Sequence, residues 1–346
     1  MHSLGTSRCT CRPVMPTLCG LTEFEAAIRR VALAKYRTCL PQLGTDIFAC
    51  YTGMDTDILF NRGIELPGFA SYPLLESERG RNLLREYYVQ LLELGQTHGV
   101  GVILDSVTWV ANRDRGNSLG YSPEDLKRFN IDAIELIASV REENGDLPTV
   151  LCGQVGPRGD GYAPKDQMTA WEAEDYHAEQ IEVYSQTQAD FVGAFTLCYT
   201  EEASGVIRAA ASFGIPAAIA FTVETDGRLP TGIPLREAIE KVDEASNNGA
   251  AYFLINCAHP DHFSTALSDE PWMQRLRGAV ANASRCSHAE LDEAEELDAG
   301  DPEEFGRLVG GLRKTYPHFN ILGGCCGSDM RHMKRILEEA QSELRT

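Results

Sequence analysis

Residues 100–126 read VGVILDSVTWVANRDRGNSLGYSPEDL, and this stretch holds one complete unit of the pattern that decides the fold. An apolar run, Val100 to Asp105, has the composition of a buried strand. It breaks into a polar segment, Ser106 to Tyr121, too rich in Asn, Asp, Arg and Gly to continue a sheet. Ser122-Pro-Glu-Asp then supplies an N-cap hydroxyl, a proline at the first helical position and acids in the first turn, so a helix starts before Leu126.

The same alternation extends in both directions. Eight β-type runs are predicted: Ile47–Thr52, Val100–Asp105, Thr149–Gly153, Phe191–Thr196, Ala217–Val223, Ala251–Asn256, Gly278–Asn282 and Phe319–Leu322. Helical periodicity fills the intervals. Between Arg81 and Leu94 it sets Leu84, Tyr87, Tyr88, Leu91 and Leu94 on one stripe, and it recurs over 171–185, 201–213, 235–247, 302–315 and 329–344. The sixth interval holds only a short helix near 270–276. Crossovers of this length return the chain parallel, so the expected fold is α/β, a single (β/α)8 barrel over residues 36–346 preceded by an N-terminal extension over 1–35, helical or disordered. The competing open doubly wound sheet lacks a GxGxxG after its first strand and any linker that would divide the chain. The acidic stretch from Glu290 to Glu304, nine acids in fifteen residues, reads as a solvated loop and helix start.

Composition narrows the function. Of 346 residues, 24% are charged and 43% hydrophobic, a balance that buries a core. Lys and Arg number 31 against 51 Asp and Glu, a net charge of −20 that disfavours nucleic acid and anionic membrane surfaces as partners and leaves small molecules. No run approaches the roughly 18 apolar residues of a membrane span. Residues 1–22 contain Arg8, Arg12 and no acid, a faint echo of a transit peptide, but no amphipathic face; a cytoplasmic protein is expected.

The chain has 11 cysteines, an odd number without short regular spacing, which is a poor disulfide framework. Chemistry in a barrel of this class gathers where strands exit at their carboxyl ends. Two of the eight exits run into cysteine: Asn256-Cys257 after the sixth strand and Gly323-Gly-Cys325-Cys326-Gly327 after the eighth. Three thiolates with an open fourth position make a catalytic zinc site, and the flanking glycines let the backbone turn sharply. His259 and His262 are the alternative imidazole ligands. Cys152, Cys198 and Cys286 read as small core residues.

The pairing of Asn256-Cys257 with the Gly-Gly-Cys-Cys-Gly element resembles the signature of the homocysteine S-methyltransferase family, and the likeness runs from about Lys35 to Leu344. It implies a single barrel in which Cys257, Cys325 and Cys326 hold Zn²⁺ and the acceptor sulfur takes the fourth position. It further implies methyl transfer to the thiol of homocysteine, or an analogue, from a sulfonium or ammonium donor: S-methylmethionine, S-adenosylmethionine or betaine. The product would be methionine. No side-chain base is needed, because the metal-bound thiol is the nucleophile. Substrate contacts are expected from Gly53, Thr196 and Asn256.

Two motifs depart from the family. Tyr51-Thr52-Gly53 stands where the first strand normally ends in Asp-Gly-Gly, and Phe195-Thr196 where the fourth ends in Glu-Thr. Both carboxylates expected to hold an amino group are missing. Glu224 is the expected substitute, with Asp226, Glu201 and Glu202 as neighbours on adjoining rims. Trp109 and Tyr199 are candidate aromatic contacts for a cationic donor. A different class of function, a zinc-binding barrel without methyl transfer, follows from the same losses. Oligomeric state is not legible in the sequence.

Overall fold

The computed structural model describes residues 34–342. Eight strands close into one parallel barrel in chain order: β1 Phe48–Ala49, β2 Gly101–Asp105, β3 Thr149–Val155, β4 Phe191–Leu197, β5 Ala217–Phe221, β6 Tyr252–Asn256, β7 Leu276–Ala281 and β8 Ile321–Gly324. The closing register sets Phe48 against both Gly101 and Ile321. The crossover helices are α1 Glu78–His98, α2 Pro123–Glu143, α3 Ala170–Ser185, α4 Thr200–Ser212, α5 Leu235–Ser246, α6 Pro302–Thr315 and α7 Met330–Ala340. The sixth crossover carries a short turn, Pro260–Phe263, and a 3-10 segment, Pro271–Arg275.

Local chemistry accounts for these elements. Ser122 and Thr169 form capping boxes with Asp125 and Glu172 at the starts of α2 and α3. Alternate strand residues point into the lumen, where Phe48, Cys50, Ile103, Cys152, Phe191, Tyr252, Leu254 and Ile321 pack together. The opposite faces pack on the helices in a second, larger layer. At the amino end of the barrel, Arg37 donates to the carbonyls of Ser185, Thr187 and Ala189. Asn320 donates to those of Gln42, Gly44 and Asp46. The floor is thereby shut and the carboxyl rim left open.

The structure moves several boundaries. The regular part of β1 is two residues long, against the six expected over 47–52. Cys50 and Tyr51 still bond across to β8, through Cys50 N to Leu322 O at 3.0 Å and Gly324 N to Tyr51 O at 2.9 Å, after the chain has left β2. The seventh strand starts two residues before the expected Gly278. The last helix, expected over 329–344, ends at Ala340 and gives way to a turn at 341–342, where the described residues end. Cys286 is exposed, not packed in the core, whereas Cys152 and Cys198 are fully buried. Residues 1–33 of the expected extension, with Cys9, Cys11 and Cys19, lie outside the described residues.

Candidate active site at the carboxyl rim

The two cysteine-bearing exits meet. Cys257 Sγ lies 3.0 Å from Cys325 Sγ and 3.7 Å from Cys326 Sγ, and the latter two are 4.0 Å apart. Three sulfurs this close form a group able to hold a metal ion. Zinc–thiolate bonds of about 2.3 Å in a tetrahedron require sulfur–sulfur edges of about 3.8 Å, which two of the three edges match. The site opens on a cavity of about 490 Å³, so the donor set has a free side, as catalytic use requires.

Backbone geometry aims the thiols. Cys257 sits in the left-handed region at φ +53°, immediately after Asn256, and its N–H donates to Val280 O at 2.9 Å. Cys325 N–H donates to Ala281 O. Gly53 packs beneath this turn: a Cβ there would lie 2.4 Å from Cys325 O and 2.7 Å from Ser328 O, so only glycine lets the first and eighth exits touch. Thr196 is left-handed too, at φ +63°, a strained conformation for a β-branched residue. Asn256 secures it, accepting from Thr196 N–H at 2.8 Å and donating through its amide to Thr196 Oγ1 at 2.9 Å.

Charge within the triad is uneven. The thiols of Cys325 and Cys326 donate toward Cys257 and hold its pKa well below the ordinary thiol value, against the effect of burial. Cys325 and Cys326 are correspondingly raised, first by Cys257. Tyr162 places its hydroxyl toward Cys257, and burial followed by the nearby thiols pushes its pKa up. The Tyr162 ring lies over His288, with centroids 3.9 Å apart.

Of the residues expected at the site, Gly53, Thr196, Asn256, Cys257, Cys325 and Cys326 all line the cavity. Glu224 does not. It sits in the turn after β5, where its N–H closes onto Arg228 O, and the cavity wall passes it by. Glu202, in the first turn of α4, is buried against His177, at 3.0 Å, and accepts from the N–H of Arg158. Asp226 and Glu201 are exposed and also lie off the cavity. Trp109 lines the cavity, edge-on to Phe69 and beneath the Arg115 guanidinium, while Tyr199 is packed away with its hydroxyl accepting from Met168 N–H. His259 caps Asp261 N–H, and His262 meets Arg285 O, so both imidazoles are engaged within their loop. The acidic loop is solvated, as expected, yet Leu291 and Leu297 turn inward as a wall.

The wall also holds residues that no sequence signal marks, among them Asp55, Tyr162 and His288. Asp55 accepts hydrogen bonds from the hydroxyls of Tyr51 and Ser71, and burial pushes its carboxyl up while those hydroxyls pull it down. Tyr162 is the one aromatic of the β3–α3 loop, residues 156–169, which is otherwise rich in Gly, Pro and charged residues.

The chain resembles known proteins in sequence and in fold. The homocysteine S-methyltransferase family model matches residues 52–340. Betaine–homocysteine S-methyltransferase 1 of Mus musculus is 22% identical over 286 residues, and that of Rattus norvegicus 24%; each match covers 75% of this chain. The chain spans 64% of the length of these curated relatives. The homocysteine methyltransferase MmuM from Escherichia coli shares the fold, with a TM-score of 0.65 in its oxidised form at 17% identity, covering 88% of this chain and 97% of that one. Its metallated form gives 0.64 at 16% identity, covering 87% and 98%.

Proposed function

This chain belongs to the homocysteine S-methyltransferase family, and from that premise we propose that it is a zinc-dependent enzyme moving a methyl group from a sulfonium or ammonium donor to the thiol of homocysteine. The observation that carries the reading is the sulfur triad of Cys257, Cys325 and Cys326 at the wall of an otherwise protein-lined cavity. These residues fit zinc by donor type, by two of the three sulfur spacings and by the open side. When bound there, zinc lowers the pKa of a coordinated acceptor thiol, so that a thiolate is available at neutral pH.

The chain's own residues do the rest. Phe69 and Phe195 give the cavity an aromatic wall that suits a methylated cation, which needs no hydrogen bonds. Leu291 and Leu297 add apolar surface to the cavity wall. Gly53, Thr196 and Asn256 fix the backbone that aims the sulfurs, and alignment of this kind contributes several kcal/mol to a displacement. The acceptor sulfur forms its bond to the methyl carbon as the carbon–sulfur or carbon–nitrogen bond of the donor breaks. The electron pair stays with the donor, which leaves as a neutral thioether or amine, and homocysteine becomes methionine.

A second reading, a zinc-binding barrel without methyl transfer, draws on Tyr51 and Phe195 at the ends of the first and fourth strands. One assay separates the two. Purified protein is measured for zinc per chain, then for loss of free thiol with homocysteine and S-methylmethionine, S-adenosylmethionine or betaine in turn. One zinc with turnover supports methyl transfer; one zinc without turnover under any donor supports the second reading. Among the described residues no helix is long and apolar enough to cross a membrane.

A further inference from the structure

Five acids line the cavity: Asp55, Asp160, Asp292, Glu296 and Asp298. Four of them are exposed at the mouth; Asp55 alone is half-buried, on the wall beside the sulfurs, near enough for its charge to act on the Cys326 thiol. Its orientation is fixed by two donors, the Tyr51 hydroxyl and the fully covered Ser71 hydroxyl. A carboxylate offers about four acceptor sites, so two donors leave acceptor capacity on a side chain that lines the cavity. Among the described residues no Lys, Arg or His forms an ion pair with Asp55, although ion pairs are frequent elsewhere in the fold. A carboxylate held in place, partly desolvated and without a counter-ion is a site built for a cation supplied by a ligand.

The chemistry of the wall says which cation. A methylated onium presents only C–H groups and suits the aromatic wall of Phe69 and Phe195, whereas a carboxylate with directed lone pairs suits N–H donors. We propose that Asp55 receives the α-ammonium group of the acceptor thiol and so selects an α-amino thiol over a simple one. The assignment rests on the thiol-methylation reading above. Tyr51, which occupies the strand end itself, serves as the hydroxyl that positions this carboxylate four residues further on.

The test is isothermal titration of the zinc-loaded protein, without methyl donor, against homocysteine and against 4-sulfanylbutanoate, the same thiol acid lacking the amino group. The wild type is expected to bind homocysteine about 10- to 100-fold more tightly. In Asp55→Asn the ratio falls to about threefold or less with zinc content unchanged, and Ser71→Ala, which withdraws one aiming donor and keeps the charge, narrows it by a smaller factor. An Asp55→Asn protein that retains the wild-type ratio overturns the proposal. So does a wild type that binds both thiols equally, which leaves thiol methylation standing. A zinc-loaded wild type that binds neither thiol overturns the thiol-acceptor reading and this proposal with it.

Discussion

Two side chains show how the same barrel treats charge in opposite ways. At the rim, the three sulfurs of the triad form a group able to hold a metal ion, and Cys326 lies on a turn that contributes little to the core. Cys326→Ser is expected to leave the helical circular dichroism and thermal midpoint near wild type while lowering zinc content well below one per chain and abolishing turnover; a zinc-replete, active variant contradicts the assignment. In the lumen, Asp105 is buried with neither carboxyl oxygen fully hydrogen-bonded, beside Cys152, and burial raises its pKa to about 6. An unfolded aspartate titrates near 3.9, so between about pH 4 and 6 the native chain holds the extra proton and stability falls as pH rises, by on the order of 3 kcal/mol. Asp105→Asn removes that slope. Urea midpoints of the variant should exceed those of the wild type at pH 7.5 and converge with them toward pH 4; parallel curves contradict the assignment.

At the scale of elements, the loop that carries Tyr162 is tied down where α3 begins. Thr169 accepts from Glu172 N–H at 3.3 Å, and Glu172 accepts in return from Thr169 N–H at 2.8 Å. Thr169→Ala is expected to cost about 1 kcal/mol and a few degrees of thermal midpoint with zinc content preserved, as differential scanning calorimetry and metal analysis will show. Elements of this kind were legible in the sequence because their signals are local: Ser122-Pro-Glu-Asp announces a helix start, and eight apolar runs announce eight strands. Boundaries were less so where tertiary pairing decides them, as at β1, which continues toward β8 after parting from β2. The site divides along the same line. Cys257, Cys325 and Cys326 were readable because cysteine at a strand exit is chemically conspicuous. Asp55 was not, since a carboxylate in the segment after a strand looks like any solvated acid until Ser71 and Tyr51 fold over it. His288 was hidden for a similar reason: its place over Tyr162 is set by two loops more than 120 residues apart in sequence. Glu224 looked suitable by position along the chain, but the turn after β5 carries it away from the cavity.

For the whole molecule, net charge and the acids at the mouth act together. A field from −20 charges, with Asp160, Asp292, Glu296 and Asp298 around the opening, concentrates cations at the cavity. The kcat/KM for a singly cationic donor is expected to fall several-fold as ionic strength rises from about 0.02 to 0.5 M, while zinc content stays constant. Initial rates across a salt series check this, and a flat series rejects it. The barrel also joins residues that the chain keeps far apart. Thr196 and Asn256 come from β4 and β6, and neither can do its work alone: the threonine needs the amide to hold an unfavourable backbone, and the amide needs the threonine as its partner. In a lineage drifting under selection for activity, these two positions therefore behave as one heritable unit. A change at either is tolerated only with a compensating change at the other, and the pair should be found substituted together or not at all.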